Sequence, residues 1–308
     1  MSVKQNKLYY IFESFRVNQW IKNLVVYTAI VFSGKLFDPQ LFISTTYAFL
    51  TFVLLSSVSY VLNDIIDFEY DKKHPVKKFR PIASGKISIQ EATFIVFVLI
   101  IIALIISLSF SLRFFMLSAF FIMLHFLYSL YLKKYAVIDI LSISFSFMIR
   151  AFAGEIVTGF HIPIWLVLTV FFGALFIASV KRHAEFVIHG LKTRGSLYFY
   201  KEHLLNFLTN TFATTTIISY SLYAYLERIP SITTPFNEYF SRVLPDFEAR
   251  RWLMVTIPFV VYGISRYAQL LYTKDLGERP EKLITKDLPL IATIFLWGST
   301  IILLIYVL

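Results

Sequence analysis

Long apolar runs separated by short polar segments dominate the chain, and they predict membrane-spanning helices. A bilayer core of ~30 Å needs about 20 predominantly apolar residues in each α-helix. Nine stretches approach this length, although the first is short for a span. They are Asn23–Phe37, Leu41–Leu62, Thr93–Phe110, Phe114–Leu132, Val137–Val157, Pro163–Val180, Thr209–Leu226, Leu253–Tyr272 and Leu288–Leu308. The pattern therefore predicts an all-α integral membrane protein with nine transmembrane helices.

Two segments outside these runs have a different pattern. Leu8, Ile11, Phe12 and Phe15 recur at helical spacing, which predicts an amphipathic helix along the membrane surface. Glu227–Arg251 contains three prolines and is predicted to be an irregular loop or a short surface helix. Since no Gly/Ser/Pro-rich linker and no internal repeat divides the sequence, residues 1–308 are predicted to form a single transmembrane domain.

Composition also favours lipid as the surroundings of this chain. Hydrophobic residues make up 57% of it, whereas a soluble domain has roughly 45–50%. The absence of cysteine excludes disulfides, thiol catalysis and cysteine-bound zinc or iron–sulfur centres. The first 19 residues are too polar for a cleaved secretory signal, so we expect the first span to be retained.

The distribution of Lys and Arg predicts the orientation. Of these 29 residues, 21 lie on the side of the N-terminus and of the loops after helices two, four, six and eight, and six lie on the other side. Positive residues accumulate in cytoplasmic loops, so this side is predicted to face the cytoplasm of a cell with the protein in its plasma membrane. The net charge of +10 is dispersed over these segments without a nucleic-acid-binding motif, and no nucleic acid is predicted as a partner.

An acidic segment continues the second apolar run. At 100° per residue, Asn63, Asp64, Asp67 and Asp71 fall on one helix face and Glu69 points away. Like charges repel in such an arrangement, and oxygen ligands of this kind suit Mg²⁺, which takes further ligands from substrate phosphates. These four residues are therefore candidate catalytic residues and metal ligands. A solvated acidic helix end is the alternative interpretation.

A basic loop punctuated by Pro and Gly follows the acidic segment. It contains Lys77 and Arg80, and Arg80 stands between Phe79 and Pro81. Acidic metal ligands followed by basic side chains are typical of a diphosphate site, because the metal bridges some phosphate oxygens while Lys and Arg bind others. The bias of cytoplasmic loops toward positive charge is the simpler explanation for some of these residues, but it explains Arg80 less well.

This whole block resembles the UbiA superfamily of intramembrane prenyltransferases. The matching residues are Asn63-Asp64-x-x-Asp67-x-x-x-Asp71, His74-Pro75 and Arg80-Pro81-x-x-Ser84-Gly85. Typical prenyltransferases of the superfamily carry a second aspartate-rich motif after helix six. This sequence instead has Lys181, Arg182 and Glu185 there and no Asp in that loop. The absence of this second motif argues against prenyl transfer to an aromatic acid.

The departures are similar to one branch, the decaprenyl-phosphate phosphoribosyltransferases. The similar segments include Gln19-Trp20-Ile21-Lys22-Asn23, Leu132-Lys133-Lys134, Val137-Ile138-Asp139-Ile140, Met148-Ile149-Arg150-Ala151 and Tyr262-Gly263-x-x-Arg266-Tyr267. The resemblance implies Mg²⁺-dependent transfer of 5-phosphoribose from phosphoribosyl diphosphate to a polyprenyl phosphate, for cell-envelope glycolipid synthesis. We expect inversion at ribose C1, because the acceptor phosphate attacks opposite the departing diphosphate.

A ring of basic residues is expected to bind the phosphates of both substrates. Its predicted members are Lys22, Lys77, Arg80, Lys134, Lys181, Arg182 and Arg266. Arg150 and Arg266 lie within apolar runs, so each is predicted to bind phosphate or to be a counter-ion of Glu155 or Asp139. Asp139 is expected to hold a ribose hydroxyl or a basic partner. Tyr128 and Glu185 are further candidates for substrate binding, and Glu281 and Asp287 are candidates for closing the site.

Two other functions compete with this interpretation. One is a UbiA-type prenyltransferase that moves a prenyl group from prenyl diphosphate to an aromatic acceptor. The other is a secondary transporter, although the acidic segment lies at the membrane edge and the apolar runs lack the matching Gly/Pro breaks of transporters. Polyprenyl length and oligomeric state are left open, with a homo-oligomer among the alternatives.

Overall fold

The structure, a computed structural model, describes residues 7–189, 200–228, 238, 251–273 and 287–307. Every regular element in these ranges is helical, in agreement with the predicted all-α class. Most of the predicted irregular segment Glu227–Arg251 lies outside the described residues, and so does Glu281.

The α-helices are numbered here in chain order. They are α1 (Lys7–Ser14), α2 (Thr28–Phe32), α3 (Pro39–Ile66), α4 (Phe68–Lys73), α5 (Ile89–Phe110), α6 (Leu112–Leu130), α7 (Ile138–Thr158), α8 (Ile164–His189), α9 (Glu202–Leu226), α10 (Ile257–Thr273) and α11 (Leu288–Tyr306). Four 3₁₀ segments lie between them, Val17–Tyr27, Lys77–Phe79, Leu132–Lys134 and Trp252–Thr256.

Side-chain caps define several of these helix starts. The Asp38 carboxylate accepts hydrogen bonds from the first turn of α3, and Ser88 forms a reciprocal capping box with Glu91 at the start of α5. The Ser111 hydroxyl accepts a hydrogen bond from the Phe114 amide at the start of α6, only one residue after α5 ends. Because a single residue connects them, α5 and α6 form a tight antiparallel pair.

Seven helices in the described part of the chain are long and apolar enough to cross a membrane. They are Pro39–Ile66, Ile89–Phe110, Leu112–Leu130, Ile138–Thr158, Ile164–Val187, Trp252–Leu270 and Leu288–Tyr306. These correspond to seven of the nine predicted spans. Helix α9 has 25 residues, but threonines interrupt its apolar sequence. The first predicted span, Asn23–Phe37, is not a long helix, so a count of nine stays a prediction.

The first predicted span is divided between the 3₁₀ segment Val17–Tyr27 and the short α2. The reason lies in its packing against α7. A Cβ atom at Gly154 would lie 1.9 Å from the Val26 carbonyl oxygen, so the two backbones meet where α7 has no side chain. This tertiary contact, which local sequence does not encode, accompanies the departure from a regular helix.

The centre of the bundle is packed around α3. Phe52 on α3 meets Phe114 and Phe121 of α6 edge to face, with ring centroids 5.9 and 5.3 Å apart. Between α5 and α6, the Ser107 hydroxyl donates to the Ser118 hydroxyl at 2.9 Å. Such small polar contacts allow close helix approach where lipid tails provide no hydrophobic driving force.

The polar ends of six helices meet at one end of the bundle. Because successive long helices run antiparallel, α3, α6 and α8 finish there and α5, α7 and α9 begin there. We call this end the site end. Helices α8 and α9 extend farthest beyond their predicted spans at this end, since α8 continues past Val180 to His189 and α9 begins at Glu202 rather than Thr209.

Candidate active site

The predicted acidic face spans the junction of α3 and α4. Helix α3 ends at Ile66, and Asp67, with φ −88° and ψ 5°, separates it from α4. The backbone nevertheless stays close to helical, because the Asp71 amide donates to the Asp67 carbonyl at 2.8 Å. Asp64 and Asp71 are buried while Glu69 is exposed, as the helical spacing predicts. We call Asn63, Asp64, Asp67 and Asp71 the acidic cluster.

Arg80 joins two members of this cluster. Its Nη1 donates to Asp64 Oδ1 at 3.0 Å and to Asp71 Oδ2 at 2.5 Å. The backbone of Arg80 is extended, with φ −59° and ψ 145°, as expected for the residue before Pro81. Gly85 closes the same loop at φ 75°, a conformation that favours glycine. The structure therefore brings the predicted Arg80 to the acidic cluster.

Arg16 is a second cation at the cluster, and it was not among the predicted site residues. Its Nη2 donates to Asp64 Oδ1, and its guanidinium lies 5.1 Å from the centroid of the Tyr60 ring. The Arg16 backbone is left-handed, with φ 52° and ψ 58°, which is unusual for a residue other than glycine. The only sequence signal was its place between the amphipathic segment and the first apolar run, where positive charge is expected anyway.

Lys133 is the third cation at the cluster, whereas its neighbour Lys134 was the residue predicted for the basic ring. Its Nζ lies 2.5 Å from Asp67 Oδ1 and 3.4 Å from Asn63 Oδ1. The Asn63 amide in turn donates to Asp67 Oδ2 at 3.1 Å. Lys134 is exposed and lies 5.8 Å from the centroid of the Tyr131 ring. Hydropathy could not choose between two adjacent lysines, because the 3₁₀ turn that orients them is a local irregularity.

The acidic cluster was predicted to bind Mg²⁺, and its donor atoms are of a suitable kind. Its donors are carboxylate and amide oxygens, which Mg²⁺ prefers. Asp64 and Asp71 both accept from one nitrogen of Arg80, so the two carboxylates are close enough to share a cation. Within the described residues, no three His, Asp or Glu side chains lie together around one metal position. Asp64, Asp67 and Asp71 instead form ion pairs with Lys or Arg side chains.

A second buried ionic network lies where α6, α7, α8 and α9 meet. Arg182, which is 1% exposed, donates from Nε to Asp139 Oδ2 at 2.5 Å and from Nη1 to Glu185 Oε2 at 2.6 Å. Its Nη2 donates to the Tyr128 hydroxyl at 3.2 Å. All four of these residues were predicted for the site, and Asp139 has a basic partner, as one of its two predicted roles requires. The contacts of Arg182 link three helices.

Tyr200, which sequence reasoning missed, completes this network. Its hydroxyl donates to Asp139 Oδ1 at 2.6 Å and accepts from the Val137 amide at 2.7 Å. Burial and the adjacent Asp139 carboxylate both raise the pKa of the Tyr200 hydroxyl. Val137 has φ 68°, an uncommon conformation for a β-branched residue. Tyr200 therefore fixes the strained start of α7, and no short motif in the sequence pointed to it.

Arg150 is buried among neutral partners. Its Nε donates to Asn23 Oδ1 at 2.7 Å, Nη1 to the Ser146 carbonyl at 2.7 Å and Nη2 to Ser56 Oγ at 3.2 Å. The predicted pairing of Arg150 with Glu155 or Asp139 is wrong, because Asp139 pairs with Arg182 and Glu155 pairs with His161. Arg150 thus ties the 3₁₀ segment Val17–Tyr27 to α3 and α7. Its predicted contact with substrate stays a prediction.

The remaining predicted basic residues have different positions. Arg266 forms a two-pronged ion pair with Asp287, at 3.2 and 2.9 Å, so its counter-ion is neither Glu155 nor Asp139. Asp287 also caps the start of α11 through the Leu290 amide. Three predicted members of the basic ring are half-buried, namely Lys22, Lys77 and Lys181.

Comparison with known proteins places these features in a family context. Residues 24–193 match the UbiA prenyltransferase family. The chain is 32% identical to the decaprenyl-phosphate phosphoribosyltransferase of Corynebacterium glutamicum over 96% of this chain and 86% of that protein. It is 34% identical to the enzyme of the same name from Mycolicibacterium smegmatis over 93% of this chain and 89% of that protein.

Solved structures share the fold. A UbiA homolog from Archaeoglobus fulgidus bound to DMAPP and Mg²⁺ superposes with a TM-score of 0.68. The alignment covers 97% of this chain and 99% of the archaeal one, at 17% sequence identity. At this identity the likeness concerns the fold alone.

Proposed function

Because the chain belongs to the UbiA prenyltransferase family, in its decaprenyl-phosphate phosphoribosyltransferase branch, we propose that it transfers 5-phosphoribose from phosphoribosyl diphosphate to a polyprenyl phosphate of the decaprenyl type. Diphosphate is released, and the product is a lipid-linked phosphoribose for cell-envelope glycolipid synthesis. The proposal places the protein in the plasma membrane with the site end toward the cytoplasm, where a water-soluble sugar phosphate would arrive.

The charge of the site end is the observation that carries this proposal. The acidic cluster has three cations in contact with it, and the end of α8, where typical prenyltransferases have a second aspartate-rich motif, carries Lys181 and Arg182 instead. The proposed donor brings a 5-phosphate and a diphosphate, and the acceptor brings another phosphate. Three phosphate-bearing groups require more positive charge than one prenyl diphosphate and an aromatic acid do.

Asn63, Asp64, Asp67 and Asp71 are proposed to hold Mg²⁺, which suits their oxygen donors. When bound, Mg²⁺ would supply positive charge to the diphosphate leaving group. Arg80 lies next to two of these carboxylates and is placed to bind a diphosphate oxygen. Lys22, Lys77, Lys134, Lys181, Arg150 and Arg266 are proposed to bind the other phosphates.

The reaction is a displacement at ribose C1. The bond from C1 to the diphosphate oxygen breaks, and its electron pair leaves with the diphosphate. An oxygen of the polyprenyl phosphate forms the new bond to C1 from the opposite face, which inverts that centre. The acceptor phosphate is already ionised, so the protein needs no strong general base and contributes positioning and electrostatic stabilisation.

The Arg182 network is proposed to shape the sugar side of the site. Asp139 is held from both sides, by Arg182 and by Tyr200, so its carboxylate has a fixed orientation. Glu185 and Tyr128 complete the partners of Arg182. We propose that this network contacts the ribose through its less buried members.

Substrate choice tests the proposal directly. The purified protein with Mg²⁺ receives labelled phosphoribosyl diphosphate and polyprenyl phosphate in one mixture, and labelled prenyl diphosphate and an aromatic acid in another. We expect label to enter the lipid fraction as phosphoribose in the first mixture only. Transfer only in the second mixture would establish the competing prenyltransferase function.

A further inference from the structure

Each of the three cations around the acidic cluster contacts a carboxylate oxygen of the proposed metal ligands. Lys133 Nζ contacts Asp67 Oδ1, Arg80 Nη1 contacts Asp64 Oδ1 and Asp71 Oδ2, and Arg16 Nη2 also contacts Asp64 Oδ1. Three carboxylates and three cations are electrically balanced. A carboxylate oxygen directed at a guanidinium or ammonium group has fewer lone pairs left for a metal ion.

We infer that Arg16, Arg80 and Lys133 are exchangeable counter-ions, which hold the carboxylates before the metal arrives and bind phosphate oxygens of the donor afterwards. This inference rests on the proposed function. It assigns donor binding to Arg16 and Lys133, and it makes binding of the metal and binding of the donor depend on each other.

Electrostatics gives the direction of this coupling. A divalent cation alone would add two positive charges to a balanced and largely buried group, and it would repel the three cations at short range. When a diphosphate enters with the metal, its negative charge compensates both the metal and the displaced cations. The metal alone therefore binds weakly, and metal and donor together bind well, as reciprocal coupling requires.

The exposure of the two arginines suits such an exchange. The side chains of Arg16 and Arg80 are 28% and 25% exposed, whereas that of Asp64 is 3% exposed. The arginines thus lie on the solvent side of the carboxylate, where a soluble donor would approach. The left-handed backbone at Arg16 is a strained conformation that is retained at the point where its side chain meets Asp64.

The test measures binding of Mn²⁺ alone, by the loss of its free-ion paramagnetic resonance signal, on the full-length protein in detergent. Replacing Arg16 by Gln (Arg16→Gln) removes a competing cation, so we expect the affinity for Mn²⁺ alone to rise about 5-fold or more. The affinity for phosphoribosyl diphosphate in the presence of Mn²⁺ should fall by a similar factor. A merely structural role for Arg16 would lower both affinities or leave Mn²⁺ binding unchanged, and either result overturns the inference.

Two further variants keep the result decisive. Lys133→Gln should likewise raise the affinity for Mn²⁺ alone and lower the affinity for phosphoribosyl diphosphate. Agreement between two variants guards against misfolding of one of them. Arg113→Gln is the matched control, because Arg113 is exposed at the opposite end of α6, and it should change neither affinity. If wild-type protein binds no phosphoribosyl diphosphate at all, the proposed function fails, while the Mn²⁺ comparison still reports on counter-ion exchange.

Discussion

Asp67 differs from the other carboxylates of the acidic cluster, because its partners are Lys133 and Asn63 rather than an arginine. Asp67→Asn keeps the size of the side chain and one of its two acceptor oxygens, but it removes the charge that a metal requires. We expect phosphoribosyl transfer to fall about 100-fold or more, the usual effect of losing one preorganised electrostatic group. Transfer rates of purified variants at saturating Mg²⁺ provide the measurement.

Glu69→Gln is the control for this loss, since Glu69 is exposed two residues away. It removes one negative charge from the same segment and should leave the transfer rate unchanged. Equal losses in both variants would show that only the total charge of the segment matters. Full activity of Asp67→Asn would exclude Asp67 as a metal ligand.

Tyr200 makes two hydrogen bonds with one hydroxyl, to Asp139 and from the Val137 amide. In Tyr200→Phe, the buried amide and the carboxylate each lose a partner, so we expect a destabilisation of about 1–3 kcal/mol. Thermal unfolding in detergent measures this, with Tyr135→Phe as an exposed control. An unchanged midpoint in Tyr200→Phe would show that the hydroxyl is dispensable.

The pKa of Tyr200 sets the pH range of this difference. Burial raises that pKa, with Asp139 as a second cause, so the hydroxyl contributes stability that is fully present below the unfolded value of about 10. This contribution is lost only as the pH rises from the pKa of Tyr200 in the unfolded chain toward its higher pKa in the folded protein. The difference in stability between wild type and Tyr200→Phe should therefore be constant between about pH 6 and pH 9.

At the scale of elements, the 3₁₀ segment Val17–Tyr27 depends on its contact with α7. Gly154→Ala would place a methyl group 1.9 Å from the Val26 carbonyl oxygen, and backbone has to move to relieve this overlap. Overpacking of this kind costs about 1–3 kcal/mol. We expect a lower unfolding temperature, together with weaker donor binding, because the displaced segment carries Lys22 and follows Arg16.

Gly298→Ala provides the comparison, because Gly298 lies in α11 and no heavy atom lies within 4 Å of an added Cβ. Alanine is favoured over glycine inside helices by roughly 0.5–1 kcal/mol, so this variant should be as stable as wild type or more stable. A Gly154→Ala protein that behaves like Gly298→Ala would contradict the tight backbone contact.

The same contact shows how far the sequence could predict the elements. The length of the apolar runs was sufficient to predict seven long helices, and helical spacing was sufficient to bring Asp64 and Asp71 to one side with Glu69 away from them. The 3₁₀ segment was not predictable, because Arg150 and Gly154 impose it from another helix. Arg16 and Lys133 were not predicted for the site for a related reason, because their roles depend on turns whose geometry is set by tertiary contacts.

At the scale of the whole molecule, the chain has no cysteine, so a single introduced thiol reports which side of the membrane it faces. Tyr70→Cys places the thiol beside the acidic cluster, at a position that is 81% exposed, and Lys35→Cys places one at the opposite end of α3. If the site end is cytoplasmic, as the distribution of Lys and Arg predicts, a membrane-impermeant maleimide should label Lys35→Cys in intact cells and Tyr70→Cys only in inside-out vesicles. The reverse pattern would place the site outside the cell, away from a soluble sugar phosphate donor, and would contradict the predicted orientation.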